Sequence, residues 1–349
     1  MHDLYDVVII GAGVSGTFIA RELSRYDLKI IILEKDNDVA NETTAANSAI
    51  IHAGYDPKPG TAMARFNAPG NLMFDKVCDE LDVPFKRCGS LVIGFDEHDK
   101  ETIEDLYRRG VSNGVPDMKI LNHDEILELE PKLNPNIKLA LHAPTAGIIN
   151  PWELAIALAE NALDNGAELK LETKVTDIKK EDDSYIVATD KGSYQAKYVV
   201  NCAGVYADNI HNMVSKPSYS IRPRKGNYYV LDNTVKDLVS HVIFQAPTKK
   251  GKGVLITPTV DGNFLIGPDS EFLDDKNDNS TGLDNLEFVK KSGLRACPDI
   301  PFDKVIRSFA GLRATSNLED FVVQEAPDAN GFYEVGGFES PGLSSIPSV

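Results

Sequence analysis

Apolar and polar positions follow a strand–helix–strand order at the start of the chain. The run DVVII (6–10) is apolar and β-branched, which is typical of a strand buried on both faces. The next segment, 14–26, carries two apolar pairs at the i, i+4 spacing of a helix. A second apolar run, KIIILEK (29–35), ends in Glu34. These segments predict a βαβ unit of about 30 residues.

Helical periodicity recurs further along the chain, and two of these helices have a predicted start. Pro69 and Gly70 precede the first helix, which we expect to begin near residue 71 because proline disrupts a helix interior. Asn150 and Pro151 fit the cap and the first position of the last helix. The predicted helices are 71–82, 99–114, 122–131 and 150–169.

Strand-like segments between these helices predict a second, antiparallel sheet. Apolar runs occur at 88–96 and 198–204, and the turn TDKG (189–192) between alternating segments predicts a hairpin. Residues 219–272 contain short strand-like segments separated by glycine and proline. This order favours an α/β fold (α+β overall), in which a Rossmann-like domain is interleaved with an antiparallel β-rich domain.

A glycine-rich loop, Gly11-Ala-Gly13-Val-Ser-Gly16, joins the first predicted strand to the first predicted helix. The first glycine permits a tight turn, the second lets the backbone approach a pyrophosphate, and the third lets the helix pack closely on the strand. Glu34 ends the next strand, where a carboxylate binds ribose hydroxyls. The combination predicts dinucleotide binding, and the loop alone does not separate NAD from FAD.

The charge balance narrows the classes of partner. With 36 basic and 53 acidic residues the net charge is −17, so neither nucleic acid nor an anionic membrane is expected as the main partner. No transmembrane segment is expected because no long apolar run occurs, although peripheral membrane contact stays open. The chain start is unlike a signal peptide and the four cysteines form no CxxC pair, which favours a cytoplasmic protein with no metal site in this chain.

Five motifs together resemble one known family. They are VVIIGAGVSGTFIARELSRYDLKIIILEK, TTAANSAIIHAGYDPKPGT, YVVNCAGVYAD, FAGLRATS and GGFESPGLSS. In this order they resemble the FAD-dependent oxidoreductases related to D-amino-acid oxidase, especially the branch of glycerol-3-phosphate and L-2-hydroxyglutarate dehydrogenases. The resemblance implies FAD rather than NAD. It also implies an FAD-binding domain made of residues 1–84, 145–215 and 305–349, and a substrate domain made of 85–144 and 216–304.

The resemblance also implies cofactor contacts at matching positions. The first βα turn would hold adenine and pyrophosphate, through Gly11, Gly13, Ser15, Gly16, Glu34 and Lys35. A second loop would contact pyrophosphate, ribitol and flavin, through Thr43, Thr44, Asn47 and Ser48. The remaining implied contacts are Val175 at the adenine, Ala203 and Gly204 on the far side of the nucleotide, and Gly342, Leu343 and Ser344 near the pyrimidine edge of the flavin.

The segment SPGLSSIPSV (340–349) has residues suited to a helix start. A helix N-terminus aimed at the N1–O2 edge of the flavin would stabilise the negative charge that forms there on reduction. The chain ends at Val349, where this helix would begin, so we expect the native chain to be longer. Relatives of this branch can carry a C-terminal iron–sulfur domain.

Arg313, in the motif FAGLRATS, is the residue that the resemblance implies as the anchor of the substrate's anionic group. A guanidinium binds a carboxylate or phosphate through two parallel hydrogen bonds, and the alternative is an ion pair with a surface acid. Arg307 is a second candidate, and the segment IRPRKGNYYVLD adds Lys225 and Tyr228. Strand alternation predicts that Tyr228 and Tyr229 point to opposite faces.

His52 lies in the segment NSAIIHAGYDPKPG, which the resemblance places against the flavin ring. Oxidation of an alcohol removes the hydroxyl proton while a hydride leaves for flavin N5. A neutral imidazole, with an ordinary pKa of about 6.5, suits the role of base. The other two interpretations are covalent attachment of FAD, as in some relatives, and a structural role.

These observations predict an FAD-dependent dehydrogenase that oxidises the CH–OH carbon of a small anionic substrate. We favour sn-glycerol 3-phosphate because the basic cluster of Arg222, Arg224 and Lys225 suits a dianionic phosphate. An L-2-hydroxy acid such as L-2-hydroxyglutarate is the alternative. Two further hypotheses are an amine or amino-acid oxidase on the same fold, and a flavoprotein that only relays electrons. The electron acceptor stays open among oxygen, quinone, an iron–sulfur partner and another flavoprotein.

Overall fold

The computed structural model describes residues 4–247 and 253–349. Within these residues the chain forms twenty β-strands and eight α-helices. Numbered in chain order, the strands are β1 (Leu4–Ile10), β2 (Ile30–Leu33), β3 (Ile50–Ile51), β4 (Phe85–Lys86), β5 (Ser90–Gly94), β6 (Lys119–Asn122), β7 (Leu139–Ala143), β8 (Gly147–Ile149), β9 (Glu168–Lys170), β10 (Val175–Glu181), β11 (Ser184–Thr189), β12 (Gly192–Asn201), β13 (Ile221–Leu231), β14 (Val242–Gln245), β15 (Leu255–Pro258), β16 (Phe264–Gly267), β17 (Glu271–Phe272), β18 (Val305–Ser316), β19 (Val322–Glu325) and β20 (Phe332–Gly336). The helices are α1 (Val14–Leu23), α2 (Ala62–Leu81), α3 (Glu97–Ser112), α4 (His123–Leu129), α5 (Pro151–Asp164), α6 (Ala207–Val214), α7 (Leu283–Ala296) and α8 (Gly342–Ser345).

The glycine loop belongs to an eight-stranded sheet with a parallel centre. Its main strand order is β10-β11-β12-β1-β2-β9, and β1 pairs in parallel with both β12 and β2. Strand β20 joins in parallel beside β12, while β10, β11 and β12 form an antiparallel edge. The arrangement confirms the Rossmann-like domain, and the hairpin predicted at TDKG joins β11 to β12.

Both faces of the parallel centre are buried, as the apolar run in β1 predicts. Val7 and Ile9 face a core covered by α1 and α5, while Val8 and Ile10 face a second core that includes residues of α6. Successive side chains of a strand point to opposite faces, so a strand between two layers must be apolar throughout.

A nine-stranded, mainly antiparallel sheet forms the second large layer. Its main order is β17-β13-β16-β15-β14-β5-β7-β6, with β18 alongside β13. Its strands alternate along the chain with those of the first sheet, which confirms the interleaved fold. Residues 305–316 were expected in the FAD-binding domain. They form β18, which belongs to the second sheet because it pairs with β13 from Ile221↔Ser316 to Leu231↔Val305.

Helix α2 begins earlier than the predicted residue 71. Thr61 caps it, accepting a 3.2 Å hydrogen bond from a backbone N–H in the first turn. Pro69 lies inside the helix, where it removes the N–H that would bond to the carbonyl of Arg65. Both residues are exposed, so water can satisfy that carbonyl and the proline is tolerated.

The other predicted helices are confirmed as α3, α4 and α5. Asn150 caps α5, with its side-chain oxygen accepting from two backbone N–H groups at 3.1 and 3.2 Å. Asn122 and Glu125 form a capping box at the start of α4. Helix α7 has no counterpart among the predicted elements.

Candidate active site

A cavity of about 670 Å³ extends from the parallel strands to the antiparallel sheet. At one end it is lined by Ile10, Leu33 and Cys202, which lie at or just after the carboxyl ends of β1, β2 and β12. Its other end is lined by residues of β13, β14, β15 and β18. Open parallel sheets bind ligands beyond the carboxyl ends of their strands. The cavity therefore extends from the sheet edge at which nucleotides usually bind to a chamber lined by the second sheet.

The three glycines of the loop are required for different reasons. A Cβ atom on Gly11 would lie 2.6 Å from the carbonyl oxygen of Cys202, and one on Gly16 would lie 1.9 Å from that of Gly11. A Cβ on Gly13 would meet only the Thr44 hydroxyl, at 3.3 Å, and would otherwise point into open space. Gly13 also provides no capping side chain to α1. The open space beside a helix N-terminus fits a pyrophosphate.

Glu34 and Lys35 line the cavity beside this loop. The Glu34 carboxylate accepts backbone N–H bonds from Ala12 at 2.7 Å and Asp36 at 2.9 Å. Burial raises the pKa of Glu34, and these two hydrogen bonds oppose the rise. Lys35 Nζ is bonded to the carboxylates of Asp36 and Glu42. Their contacts with ribose and adenine stay predictions.

The second cofactor loop joins the glycine loop to the antiparallel sheet. Thr44 Oγ1 accepts a 3.0 Å bond from the first N–H of α1, and Thr43 Oγ1 donates at 2.7 Å to the carbonyl of Leu312 in β18. Asn47 donates to the carbonyls of both threonines, and Ser48 Oγ shares a 3.0 Å hydrogen bond with Tyr228 OH. All four predicted side chains line the cavity, between its two ends.

The remaining predicted cofactor residues divide into two groups. Eight of them line the cavity: Gly11, Gly13, Ser15, Val175, Ala203, Gly204, Gly342 and Leu343. Gly16 and Ser344 lie behind its wall. Gly16 allows α1 to pack on the loop, and fully buried Ser344 accepts a hydrogen bond from the backbone of His52. Their contact with the cofactor stays a prediction.

His52 lies at the junction of the two ends of the cavity. Its Nε2 atom shares a 3.2 Å hydrogen bond with Ser340 Oγ, and its ring lies 5.6 Å from that of Phe244. Its carbonyl accepts bonds from the amides of Asn67 at 3.1 Å and Asn71 at 3.0 Å. The backbone of His52 is thus fixed on both sides, so the imidazole has a defined position.

Arg313 reaches the cavity from β18, and its guanidinium is held by main-chain oxygens. Nε donates to the carbonyl of Arg224 at 3.1 Å, and Nη2 donates to those of Lys225 at 3.1 Å and Asp269 at 2.9 Å. Burial lowers the pKa of Arg313, and the neighbouring Arg224 adds to this. Within residues 4–247 and 253–349, no carboxylate forms an ion pair with this guanidinium.

Two predicted substrate contacts lie elsewhere. Lys225 is on the face of β13 opposite to the cavity, where Nζ bonds to Asp278 Oδ2 at 3.1 Å. Strand alternation separates it from Tyr228, which does line the cavity. Arg307 shares the strand face of Arg313 but lies about 20 Å away along β18, where its side chain is exposed.

Tyr228 and Tyr229 point to opposite faces, as predicted from strand alternation. Tyr228 stacks on Phe309 with ring centroids 4.6 Å apart, whereas Tyr229 packs edge-on against Phe302 at 5.4 Å. Burial raises the pKa of the Tyr228 phenol, so this group stays protonated at neutral pH and can donate a hydrogen bond into the cavity.

Four cavity residues near Arg313 and His52 were not predicted as site residues, although Arg224 was named within the basic cluster. Arg224 could have been found by alternation, because it is four residues before Tyr228 on one strand and so shares its face. Glu339, Ser340 and Phe244 had no such signal. They reach the cavity from a loop and from a strand whose neighbours are distant in sequence.

Together the loop and the long cavity define a dinucleotide-binding protein with a second chamber beside the nucleotide end. The sequence matches the family of FAD dependent oxidoreductases over residues 6–349, and the chain belongs to that family. FAD is therefore its cofactor, as the open space at Gly13 allows.

The chain is similar in sequence or structure to three proteins of known name. It is 55% identical to glycerol 3-phosphate dehydrogenase of Caloramator mitchellensis, over 99% of this chain and 72% of that protein. The structure of dithionite-reduced L-α-glycerophosphate oxidase from Mycoplasma pneumoniae with FAD bound superposes with a TM-score of 0.94, at 32% identity, covering 99% of this chain and 92% of that one. L-2-hydroxyglutarate dehydrogenase of Escherichia coli K12 is 29% identical, over 84% of this chain and 71% of that protein.

The described part of the chain has neither a membrane-spanning helix nor a cluster of metal-ligating side chains. No helix in it is both long enough and apolar enough to cross a membrane. Nor do three or more histidine, cysteine, aspartate or glutamate side chains in it converge as metal ligands would.

Proposed function

We propose that this enzyme oxidises the CH–OH carbon of a small anionic substrate, and that the substrate is sn-glycerol 3-phosphate. The observation that carries the proposal is that the Arg313 guanidinium lines the cavity without a carboxylate partner among the described residues. Its guanidinium faces the cavity, and three carbonyl oxygens hold it in place without neutralising its charge. A partly buried cation of this kind favours an anion, and the planar fork suits phosphate or carboxylate.

His52 is the proposed base. The hydroxyl of Ser340 occupies the position at Nε2 in which a substrate hydroxyl would bind. In our proposal the substrate displaces this hydroxyl and transfers its proton to Nε2 while the carbon loses a hydride. The bound FAD supplies the acceptor for that hydride at its N5 atom. Transfer to a positioned imidazole contributes about 10²- to 10⁴-fold to such a rate.

Tyr228 is proposed as a further substrate contact. It lines the same chamber as Arg313, and its hydroxyl is oriented by the hydrogen bond with Ser48. With Arg313 at the anionic group and His52 at the hydroxyl, the substrate would be held at both ends. Such orientation places the reacting carbon in one position relative to the cofactor.

The preference for a phosphate over a carboxylate has two supports. The relatives at 55% and 32% identity are named for glycerol phosphate, whereas the one named for L-2-hydroxyglutarate is 29% identical. In addition, a second cation, Arg224, lines the chamber beside Arg313. The cluster that first suggested a dianion is corrected, because Arg222 and Lys225 pair with Asp274 and Asp278 instead.

An L-2-hydroxy acid is the second candidate. Arg224 is already paired with the carboxylate of Glu339, which reduces the positive charge offered to a ligand. If that pair persists with substrate bound, Arg313 is the cation left to bind the substrate, and one guanidinium suits one carboxylate group.

Anaerobic reduction of the flavin separates the candidates. The purified FAD-loaded enzyme is mixed with sn-glycerol 3-phosphate, L-2-hydroxyglutarate, L-lactate or glycine, and the loss of the flavin absorption band is recorded. We expect glycerol 3-phosphate to bleach the flavin fastest. Bleaching by L-2-hydroxyglutarate alone would establish the second candidate. Bleaching by glycine would indicate amine oxidation, and no bleaching by any of the four would contradict the proposal.

A further inference from the structure

Two arginines occupy directly opposed positions on neighbouring strands of the substrate chamber. Arg224 in β13 is the register partner of Arg313 in β18, and both side chains line the cavity. Opposed residues of an antiparallel pair have Cβ atoms about 4.5–5.5 Å apart. The charge of Arg224 contributes to the lowered pKa of Arg313, so the two cations repel each other, and an anion between them removes that repulsion.

The two guanidinium groups are compensated in different ways. Arg313 is bonded to carbonyl oxygens, whereas Arg224 Nη2 forms an ion pair with Glu339 Oε2. Glu339 also accepts a 3.0 Å hydrogen bond from Thr315 Oγ1. Two cations and one carboxylate leave the group with one net positive charge. A monoanion matches that charge, and a dianion exceeds it by one.

The pair between Arg224 and Glu339 leaves one strong donor unused. Arg224 Nε is buried and has no hydrogen-bond acceptor among the described residues. The Arg224 side chain is 22% exposed and that of Glu339 is 12% exposed, and both line the chamber. A ligand in this chamber can therefore reach Arg224 if Glu339 gives way.

We infer that Arg224 is a second anion-binding residue, and that Glu339 competes with the substrate for it and so sets the preference for dianionic over monoanionic head groups. The inference deepens the proposed function and rests on it for the identity of the substrate. A phosphate monoester has enough negative charge to bind both arginines and displace Glu339. A carboxylate satisfies Arg313 and leaves the ion pair in place.

This inference predicts opposite effects for the two partners of one ion pair. Removal of the Arg224 charge takes away a contact with the dianion. Removal of the Glu339 charge takes away a competitor and raises the net positive charge. A purely structural ion pair predicts instead that both changes weaken ligand binding, because each leaves the other charge uncompensated.

The test measures binding to the FAD-loaded enzyme by perturbation of the flavin absorption band. The probes are methyl phosphate, which has no secondary CH–OH carbon and is mainly dianionic at about pH 7.5, and acetate, a monoanion. The variants are Arg224→Gln, Arg224→Lys and Glu339→Gln. Arg222→Gln is the matched control, because Arg222 is two residues earlier in β13 and pairs with Asp274 at the surface, with its side chain 58% exposed.

We expect Arg224→Gln to weaken methyl phosphate binding about tenfold or more, and acetate binding by less than about threefold. Arg224→Lys should recover part of the methyl phosphate affinity, and Glu339→Gln should raise it severalfold. Arg222→Gln should leave both probes unchanged. The inference is overturned if Glu339→Gln weakens methyl phosphate binding, or if Arg224→Gln affects the two probes equally.

The outcome is independent of turnover. If sn-glycerol 3-phosphate fails to reduce the flavin while methyl phosphate binds with the expected dependence on Arg224, the proposed substrate is wrong and the anion site stands. If glycerol 3-phosphate reduces the flavin and Arg224→Gln binds methyl phosphate as the wild type does, the substrate stands and the inference fails.

Discussion

The backbone N–H of His52 donates a 2.7 Å hydrogen bond to the hydroxyl of Ser344, which is 292 positions later in the chain. Ser344 Oγ in turn contacts the carbonyl of Ile50 at 3.4 Å, and Ser340, from the same terminal segment, bonds to the His52 ring. The segment with the proposed base is therefore held in place by α8 and the residues just before it.

Ser344→Ala removes the hydrogen bond that holds the His52 backbone. We expect the rate of flavin reduction by sn-glycerol 3-phosphate to fall about fivefold, corresponding to about 1 kcal/mol for one hydrogen bond, with FAD retained. Ser345→Ala is the control, because Ser345 is equally buried but donates to the carbonyl of Pro341. Equal rates for the two variants would show that Ser344 does not act through His52.

His52→Ala should lower the rate of flavin reduction by about 10²- to 10⁴-fold, because the substrate hydroxyl loses its base. The absorption spectrum of the oxidised enzyme should be unchanged, which shows that FAD is still bound. Stopped-flow measurement under anaerobic conditions checks both. A variant that keeps the full rate with glycerol 3-phosphate would show that His52 is not the base. FAD that stays attached after denaturation of the wild type, and not of the variant, would establish covalent linkage.

Arg313→Lys should raise the KM for glycerol 3-phosphate about tenfold to a hundredfold. Lysine keeps the charge but cannot form the planar fork or fill the positions between three carbonyl oxygens. Arg307→Lys is the matched control on the same face of the same strand, outside the cavity. Similar KM values for the two variants would contradict the role proposed for Arg313.

Gly13→Ala and Gly16→Ala should fail in different ways. The protein has room for a methyl group at Gly13, so Gly13→Ala should fold normally. It should nevertheless bind FAD weakly, because the Cβ fills the space proposed for the pyrophosphate. At Gly16 the methyl group would overlap the carbonyl of Gly11, so the fold itself should lose stability. Thermal unfolding and the ratio of flavin to protein absorbance distinguish the two. Normal FAD content in Gly13→Ala would place the pyrophosphate elsewhere.

Glu130 should contribute to stability in a pH-dependent way. Burial acts to raise its pKa, but hydrogen bonds from His241 and Ser240 outweigh burial and hold the pKa below its usual value of 4.5. A carboxylate with a lower pKa in the folded state stabilises the fold above the unfolded pKa, and this stability is lost as the pH falls through the folded pKa.

Glu130→Gln should therefore lower the free energy of unfolding at neutral pH by about 1–3 kcal/mol. The difference from the wild type should shrink below pH 4.5. Urea unfolding at neutral and acidic pH measures the difference in the free energy of unfolding. The control is Glu128→Gln, at an exposed position two residues earlier. A difference that does not change with pH would exclude the ionised carboxylate as its source.

Local sequence patterns correctly predicted those elements that are determined by residues close to each other in the chain. The glycine loop, the strand with two buried faces and the Asn150 cap depend on neighbours within a few residues, and all were identified correctly. The start of α2 was misplaced because the effect of Pro69 depends on whether the freed carbonyl of Arg65 faces water. That exposure is set by tertiary packing, which a local pattern does not contain.

The candidate site was predictable to the extent that a motif marks it. Arg313 and His52 stand in recognisable motifs, and both line the cavity. Lys225 was chosen over Arg224 because the basic cluster was read without strand alternation, which places Arg224 and not Lys225 on the face of Tyr228. The approach of Glu339 to Arg224 joins positions 115 residues apart, and it follows from the register of β13 with β18 and from the path of the C-terminal loop.

The hydrogen bond from Thr43 to Leu312 joins the cofactor loop to the residue beside Arg313. A Cβ on Gly311, on the other side of Leu312, would lie 1.8 Å from the carbonyl oxygen of Ala46, so loop and strand also touch directly. Any ordering of this loop by FAD therefore also fixes the strand that presents Arg313. If the proposed anion binds at Arg313, its binding and that of FAD are reciprocal: any factor by which FAD raises the affinity for the anion is also the factor by which the anion raises the affinity for FAD.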